Sequence, residues 1–202
     1  MRRLEVLQYG PHAAIVECPN GLALQVAQAL IETGRFMEVV PAERSVLVQL
    51  PSGMTRAEMQ GIVDSLPEGL PQVVGRELVV PVVYDGEDLE LVAAVTGLTV
   101  EQVIALHSGV TYLAAFAGFA PGYVYCTGLD PRLQLPRRPS PRTAVPAGSV
   151  AIADAYSAIY PTASPGGWHL LGHTDLTLFD MKRPEAALIR PGDRVRYTVR
   201  TP

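Results

Sequence analysis

Residues 142–180 read RTAVPAGSVAIADAYSAIYPTASPGGWHLLGHTDLTLFD. Short apolar runs alternate in this stretch with turns rich in glycine and proline, and apolar residues do not recur at helical spacing. The same pattern begins after Ser108 and ends in a strand that is predicted to place Val195, Tyr197 and Val199 on one face and Arg194, Arg196 and Arg200 on the other. It predicts a mainly-β barrel or sandwich that carries functional loops.

The first third of the chain predicts a small α+β unit. Four short strands and two helices are expected, and Thr55 with Glu58 forms a capping box at the start of the second helix. This order of elements favours an antiparallel sheet with helices on one side. Because a linker rich in proline and glycine follows, we expect a small α+β domain at residues 1–76 and a second domain at residues 77–202.

Composition places the chain among folded globular proteins. Of its 202 residues, 48% are apolar and 18% are charged, which is not the composition of a disordered chain. The formal net charge of -4 predicts no general attraction to nucleic acid or to anionic membranes. No charged residue lies between Ser108 and Asp130. Glycines and prolines interrupt that stretch, so we expect buried strand and loop there and a cytoplasmic protein.

The common catalytic motifs are missing from the sequence. It contains no phosphate-binding GxxxxGKS/T loop, no GxGxxG after a strand, no GxSxG elbow and no HExxH pair. His169 and His173 have the spacing of metal ligands on a helix, but the glycines around them predict a strand. On a strand the two would lie roughly 13 Å apart, so we expect no metal site. Cys18 and Cys126 form no CxxC pair.

His107 is the candidate catalytic residue. It extends the apolar stripe of a predicted helix over residues 100–108, directly before the glycine-rich region. Two interpretations of it stay open. The ring either packs in the core at the C-terminal end of the helix, where the helix dipole favours it, or reaches as a polar group into a cleft beside the glycine-rich region.

Two segments with unusual composition carry candidate binding residues. In GFAPGY, at residues 118–123, two glycines around a proline form a tight core turn or let a ligand approach the backbone closely. Four arginines follow between residues 132 and 142 among several prolines. They either face solvent or bind a carboxylate, a phosphate or the acidic groups of a partner. We expect Arg137 and Arg142 to be exposed and to contribute little to stability.

A third segment carries the only tryptophan, Trp168, directly after two glycines. This residue either anchors the core or forms the wall of a pocket or an interface. The residues that we predict to bind substrate or a partner are Gly118, Pro121, Gly122, Tyr123, Arg137, Arg138, Arg142, Tyr160, Ser164, Gly166, Gly167, Trp168 and His169.

Five long motifs occur in a specific order between Val80 and Tyr197. They are GFAPGY, DPRLQLPRR, PRTAVPAGSVAI, YPTASPGGWHLLGHTDLTLFD and LIRPGDRVRY. In this order and spacing they resemble the allophanate hydrolase subunit 1 family, which includes the B-type subunit of 5-oxoprolinase and the sporulation kinase inhibitor KipI. The chain departs from the usual residues of that family at Tyr123, at Cys126 with Thr127, and at His173, where arginine is common. These departures bear on substrate preference.

The resemblance implies a cyclophilin-like β-barrel for the second domain, without prolyl isomerase activity. It also implies a partner, the larger subunit 2 or C-type protein, and a third lactam-utilisation component. Together these would open the cyclic amide of 5-oxoproline to glutamate at the expense of ATP, which either this protein or another chain would bind. The alternatives are an allophanate hydrolase or urea carboxylase-type carboxyltransferase component, and a KipI-like inhibitor that binds a histidine kinase.

Overall fold

The computed structural model of the protein describes residues 4–19 and 21–201. The chain divides into two compact units, Met1–Val74 and Gly75–Pro202. It stays a prediction that the chain has two separately folding domains, at residues 1–76 and 77–202.

The first unit contains a four-stranded antiparallel sheet in the order β1-β2-β4-β3. Its second helix begins with the expected capping box, because Thr55 Oγ1 accepts from the Glu58 N–H while Glu58 accepts from the Thr55 N–H. One apolar cluster from the strands and both helices forms the core of this unit. The elements are β1 Glu5–Gln8, β2 Ala13–Glu17, α1 Ala23–Glu32, β3 Val39–Pro41, β4 Ser45–Gln49 and α2 Arg56–Asp64.

The second unit contains a mixed seven-stranded sheet in the order β12-β9-β10-β7-β6-β13-β5 and a separate pair, β11 and β8. Strand β13 pairs parallel to β5, and the other neighbours in the large sheet pair antiparallel. The elements are β5 Glu77–Val82, α3 Leu89–Thr96, α4 Val100–Ser108, β6 Thr111–Ala117, β7 Val124–Thr127, β8 Arg142–Val145, β9 Ser149–Ala153, β10 Tyr156–Ile159, β11 Ser164–Gly166, β12 His169–His173 and β13 Arg194–Val199.

The two edges of the large sheet meet just beyond the end of β5. The N–H of Val83 donates to the carbonyl of His173 and the N–H of His173 donates to the carbonyl of Val83, both at 2.9 Å. A Cβ atom on Gly172 would lie 2.1 Å from the Val83 carbonyl oxygen, so only glycine permits this approach. The bridge nearly closes the sheet, which confirms the mainly-β barrel.

Helices α3 and α4 pack against this barrel, α3 on β12 and α4 on β13. A capping box of Thr99 and Gln102 begins α4, as the sequence predicts. Val92 and Val103 are completely buried in the same core cluster as residues of β5, β6, β7, β9 and β13. Within the described ranges, no single helix is long and apolar enough to cross a membrane. Helices α3 and α4 meet that test only as a pair bent by 98°.

Candidate functional site

A cavity of about 680 Å³ lies beside the point where the barrel closes. Four stretches of chain surround it: the loop after β5, the turn before β9 with the first residue of that strand, Pro161 in the loop after β10, and β12 with the residues that follow. Its volume is in the usual range for small-molecule sites. The lining residues are Asp85, Gly86, Glu87, Pro146, Ala147, Gly148, Ser149, Pro161, Leu170, Gly172, His173, Thr174, Asp175, Leu176 and Thr177.

Glycines allow the walls of this cavity to approach each other. A Cβ atom on Gly86 would lie 2.3 Å from the Leu170 carbonyl oxygen, so the loop after β5 lies directly on β12. Gly148 has a φ of +81°, and a Cβ atom there would lie 2.3 Å from the Thr174 carbonyl oxygen. The N–H of Thr174 donates to the Gly148 carbonyl at 2.9 Å. The backbone around the cavity is therefore held in place before any ligand arrives.

Three carboxylates line the cavity, and each has a basic partner. Asp85 Oδ1 lies 2.8 Å from His173 Nδ1. Glu87 Oε2 lies 3.1 Å from Arg142 Nε, and Asp175 Oδ2 lies 2.7 Å from the Nη1 atom of Arg200. A ligand would thus meet ion pairs and one carboxylate–imidazole pair.

Asp88 anchors the loop that carries Asp85 and Glu87. Its carboxylate accepts from the Leu170 N–H at 2.8 Å, and each of its oxygens accepts from Arg142 Nη2 at 2.8 Å. Arg138 Nη1 also donates to it. Asp88 precedes α3, yet its side chain forms no cap hydrogen bond with that helix, because these three partners occupy the carboxylate.

The carboxyl group of Asp88 is buried and ionised. Burial alone raises the pKa of a carboxyl group. The hydrogen bonds from Arg142 and the Leu170 N–H, together with the charges of Arg142 and Arg138, outweigh burial and hold the pKa of Asp88 below its usual value. The expectation that Arg142 is an exposed charge is therefore wrong, since only 15% of its side chain is exposed.

Several of the predicted binding residues meet in an aromatic cluster whose rings are not among the residues that line the cavity. Tyr123 contacts Tyr160 and Trp168 edge to face, with ring centroids 5.3 and 5.9 Å apart, and all three rings are buried. Gly166 lies against this cluster, because a Cβ atom there would lie 2.2 Å from the Tyr160 hydroxyl oxygen. Gly167 accepts a backbone hydrogen bond from Arg138 at 2.7 Å.

The GFAPGY segment forms the turn between β6 and β7. The N–H of Gly118 donates to the Tyr123 carbonyl across the turn, with Pro121 at its tip. Gly122 has a φ of +80° and faces Phe179, whose Cβ atom would lie 2.8 Å from a Cβ on the glycine. Phe119 also has a positive φ, +69°, and its side chain is exposed. The structure shows the tight turn; that the two glycines let a ligand approach the backbone closely stays a prediction.

The remaining predicted residues lie around the edge of the aromatic cluster. The guanidinium of Arg137 lies 5.9 Å from the centre of the Trp168 ring, and its side chain is mostly exposed. His169 Nε2 lies 3.0 Å from the Pro136 carbonyl oxygen. Ser164 Oγ and His169 Nδ1 are buried without a hydrogen-bond partner. Among residues 4–19 and 21–201, no three His, Cys, Asp or Glu side chains form a group that could hold a metal ion.

Known proteins resemble this chain in both sequence and architecture. Residues 4–189 match the family described as "Carboxyltransferase domain, subdomain C and D". The chain belongs to this family. It is 39% identical to the 5-oxoprolinase B subunit of Escherichia coli O157:H7, over 98% of this chain and 96% of that protein. It is 34% identical to the 5-oxoprolinase B subunit of Bacillus subtilis (strain 168), over 96% of this chain and 92% of that protein.

A solved structure has the same fold. The crystal structure of TTHA0988 superposes with a TM-score of 0.83 at 36% identity, over 94% of this chain. The match covers 40% of the TTHA0988 chain, so this chain spans two fifths of that longer protein.

In this carboxyltransferase-family chain, His107 lies in the core and does not line the cavity. Its Nδ1 atom lies 2.8 Å from the Tyr84 hydroxyl, its Nε2 atom lies 2.9 Å from Ser157 Oγ, and its ring stacks on Tyr197 at 4.5 Å. Burial lowers the pKa of His107 to about 3, so the ring is neutral at physiological pH. This geometry favours the packing interpretation over a group aimed into a cleft.

Sequence reasoning missed the residues that line the cavity. The sequence presents His173 as a possible metal ligand with His169 and, through the family resemblance, as a departure from the common arginine. Asp85 and Asp88 follow β5 in a segment with no recognisable motif. Nothing local indicates that Asp85 and His173 meet, because closure of the barrel brings them together across 88 positions of sequence. The feature of the sequence that could have indicated this meeting is the pair of glycines, Gly86 and Gly172, at which the two segments approach each other closely.

Proposed function

We propose that this chain is the B-type subunit of a 5-oxoprolinase, a hydrolase that opens the cyclic amide of 5-oxoproline to glutamate with the consumption of ATP. The observation that carries the proposal is the match to two 5-oxoprolinase B subunits at 39% and 34% identity over nearly the full length of all three chains.

The chain acts as one component of a cytoplasmic complex with a partner of the subunit 2 or C type and a third lactam-utilisation protein. The extra length of TTHA0988 supports a partner, since the part of that chain outside the match is longer than the match itself. The sequence contains no phosphate-binding GxxxxGKS/T loop. We therefore assign ATP to another protein of the complex.

The predicted binding residues at the aromatic cluster belong to the contact with the partner. Phe119 and Arg137 expose an aromatic ring and a guanidinium next to a buried tryptophan. Aromatic and arginine side chains dominate the energetics of protein interfaces. The positive φ of Phe119 also supports a functional role, because strained backbone concentrates at such sites.

A carboxyltransferase component acting on urea derivatives is the second candidate function, and the description of the matching family favours it. It differs from the first candidate in its substrate and in its need for a biotin-bearing partner.

The test is reconstitution of the complex. The chain is purified alone and together with its C-type partner and the third protein, and release of phosphate and glutamate is measured with and without 5-oxoproline. We expect turnover by the complex and none by the isolated chain. Substantial turnover by the chain alone would show that it is not a dependent subunit. If the complex leaves 5-oxoproline intact but supports carboxylation of urea once a biotin-bearing partner, urea and bicarbonate are added, the second candidate replaces the first.

A further inference from the structure

We infer that the cavity beside the barrel closure receives the lactam ring of 5-oxoproline, with His173 as the side chain that contacts its amide and Asp85 as the residue that orients His173. This inference rests on the proposed function and extends it to a substrate site in this chain.

The position of His173 is determined by the backbone on both sides of its strand. Its N–H and carbonyl are both bonded to Val83, and in the register of β12 and β9 it pairs with Ser149. The side chain stays 42% exposed while it lines the cavity. The ring therefore projects from a rigid strand into space that a ligand can enter, which is the arrangement that a precise binding contact requires.

Asp85 determines which nitrogen of His173 is available. A carboxylate only accepts hydrogen bonds, so in the neutral imidazole the proton lies on Nδ1, which is 2.8 Å from Asp85 Oδ1. Nε2 then carries the lone pair and can accept from the N–H of a cyclic amide. Asp85 is held in turn by its neighbours, because the N–H groups of Gly86 and Asp88 donate to the Leu171 and Leu170 carbonyls at 3.1 Å.

The rest of the cavity suits a small polar ring better than an apolar one. Ser149, Thr174 and Thr177 are among the lining residues, and a hydroxyl group is a side-chain donor of the kind that an amide carbonyl accepts from. Glu87 and Asp175 line the cavity as members of ion pairs with Arg142 and Arg200, so their negative charges are offset on the side where the ligand's carboxylate would lie. The cavity is larger than one 5-oxoproline molecule, which leaves room for a group supplied by another protein of the complex.

The test compares His173→Asn with His173→Gln in the reconstituted complex. In His173→Asn, the side-chain amide lies where Nδ1 was, so it keeps a donor for Asp85. In His173→Gln, the longer side chain places its amide where Nε2 was. We expect His173→Asn to raise the KM for 5-oxoproline about tenfold, equivalent to one lost hydrogen bond of about 1.4 kcal/mol, and His173→Gln to raise it less. The KM for ATP should not change. His12→Asn, at an exposed histidine of the other unit, is the matched control.

Asp85→Ala provides an independent variant in case His173→Asn does not fold, and melting temperatures identify that case. We expect it to raise the KM for 5-oxoproline without changing that for ATP. A wild-type complex that hydrolyses 5-oxoproline, together with folded His173→Asn or Asp85→Ala complexes of unchanged KM, would overturn the inference and leave the proposed function standing. A wild-type complex without 5-oxoproline turnover would overturn the proposed function and the inference with it.

Discussion

The anchor at Asp88 makes a quantitative prediction about stability through Arg142→Ala. The substitution removes two hydrogen bonds of 2.8 Å to a carboxylate whose side chain is 3% exposed, and one of 3.1 Å to Glu87. Removing one partner of a buried ion pair costs about 3–5 kcal/mol. Arg138 still contacts Asp88, so we expect the lower end, about 3 kcal/mol, or about 6–12 °C in melting temperature for a chain of this size.

Arg137→Ala is the matched control for this prediction. Arg137 lies in the same loop, but its side chain is 60% exposed and its guanidinium is 3.8 Å from the Asp154 carboxylate. Exposed pairs of this kind contribute about 0–1 kcal/mol. Urea unfolding of the wild type and both variants, followed by circular dichroism, measures the difference. If Arg142→Ala loses no more stability than Arg137→Ala, the assignment of Asp88 as a buried anchor is wrong.

The same anchor predicts the pH dependence of that difference. Because the folded protein holds the pKa of Asp88 below its ordinary value of 3.8, the ionised anchor contributes its full stability above that value. The contribution is lost as the pH falls through the lowered pKa of the folded state. The gap in unfolding free energy between wild type and Asp88→Asn should therefore be constant from about pH 5 to 8 and should shrink in more acidic solution.

Three further predictions follow from the core, the close glycines and the two units. Burial lowers the pKa of His107 from its usual 6.5 to about 3. Lowering the pH from 7 to 5 should therefore reduce the unfolding free energy of the wild type by about 2 kcal/mol more than that of His107→Gln. Equal reductions for the two proteins in urea titrations would contradict this. Gly86→Ala should lower the free energy of unfolding by about 1–3 kcal/mol through overpacking. In Gly61→Ala the added Cβ atom meets nothing within 4 Å, so this variant should gain roughly 0.5–1 kcal/mol in the free energy of unfolding. Thermal unfolding measures both changes. Residues 77–202 expressed alone should give a dispersed amide NMR spectrum, and a collapsed spectrum would count against a separate domain.

Features that depend on neighbouring residues were predictable from the sequence. The capping boxes at Thr55 and Thr99 are both present, because a cap needs only a side chain and a backbone N–H three residues apart. In the last strand, Val195 and Tyr197 are buried and the arginines before and between them are exposed, as alternation along a strand requires. Val199, which was expected on the same face as Val195 and Tyr197, is exposed at the end of the strand. The five motifs likewise identified the family before any contact was known.

Features that depend on pairing between distant segments were decided by the tertiary structure alone. Arg142 was expected at the surface, yet it bonds to Asp88 across 54 positions of sequence, and no spacing rule connects the two. The cavity exists because the bridge between Val83 and His173 brings the two edges of the sheet together, placing Asp85 beside His173. Spacing along a chain determines which face of a helix or strand a residue occupies. Whether a charge on that face is solvated or buried depends on which strand lies opposite, and only closure of the barrel determines that.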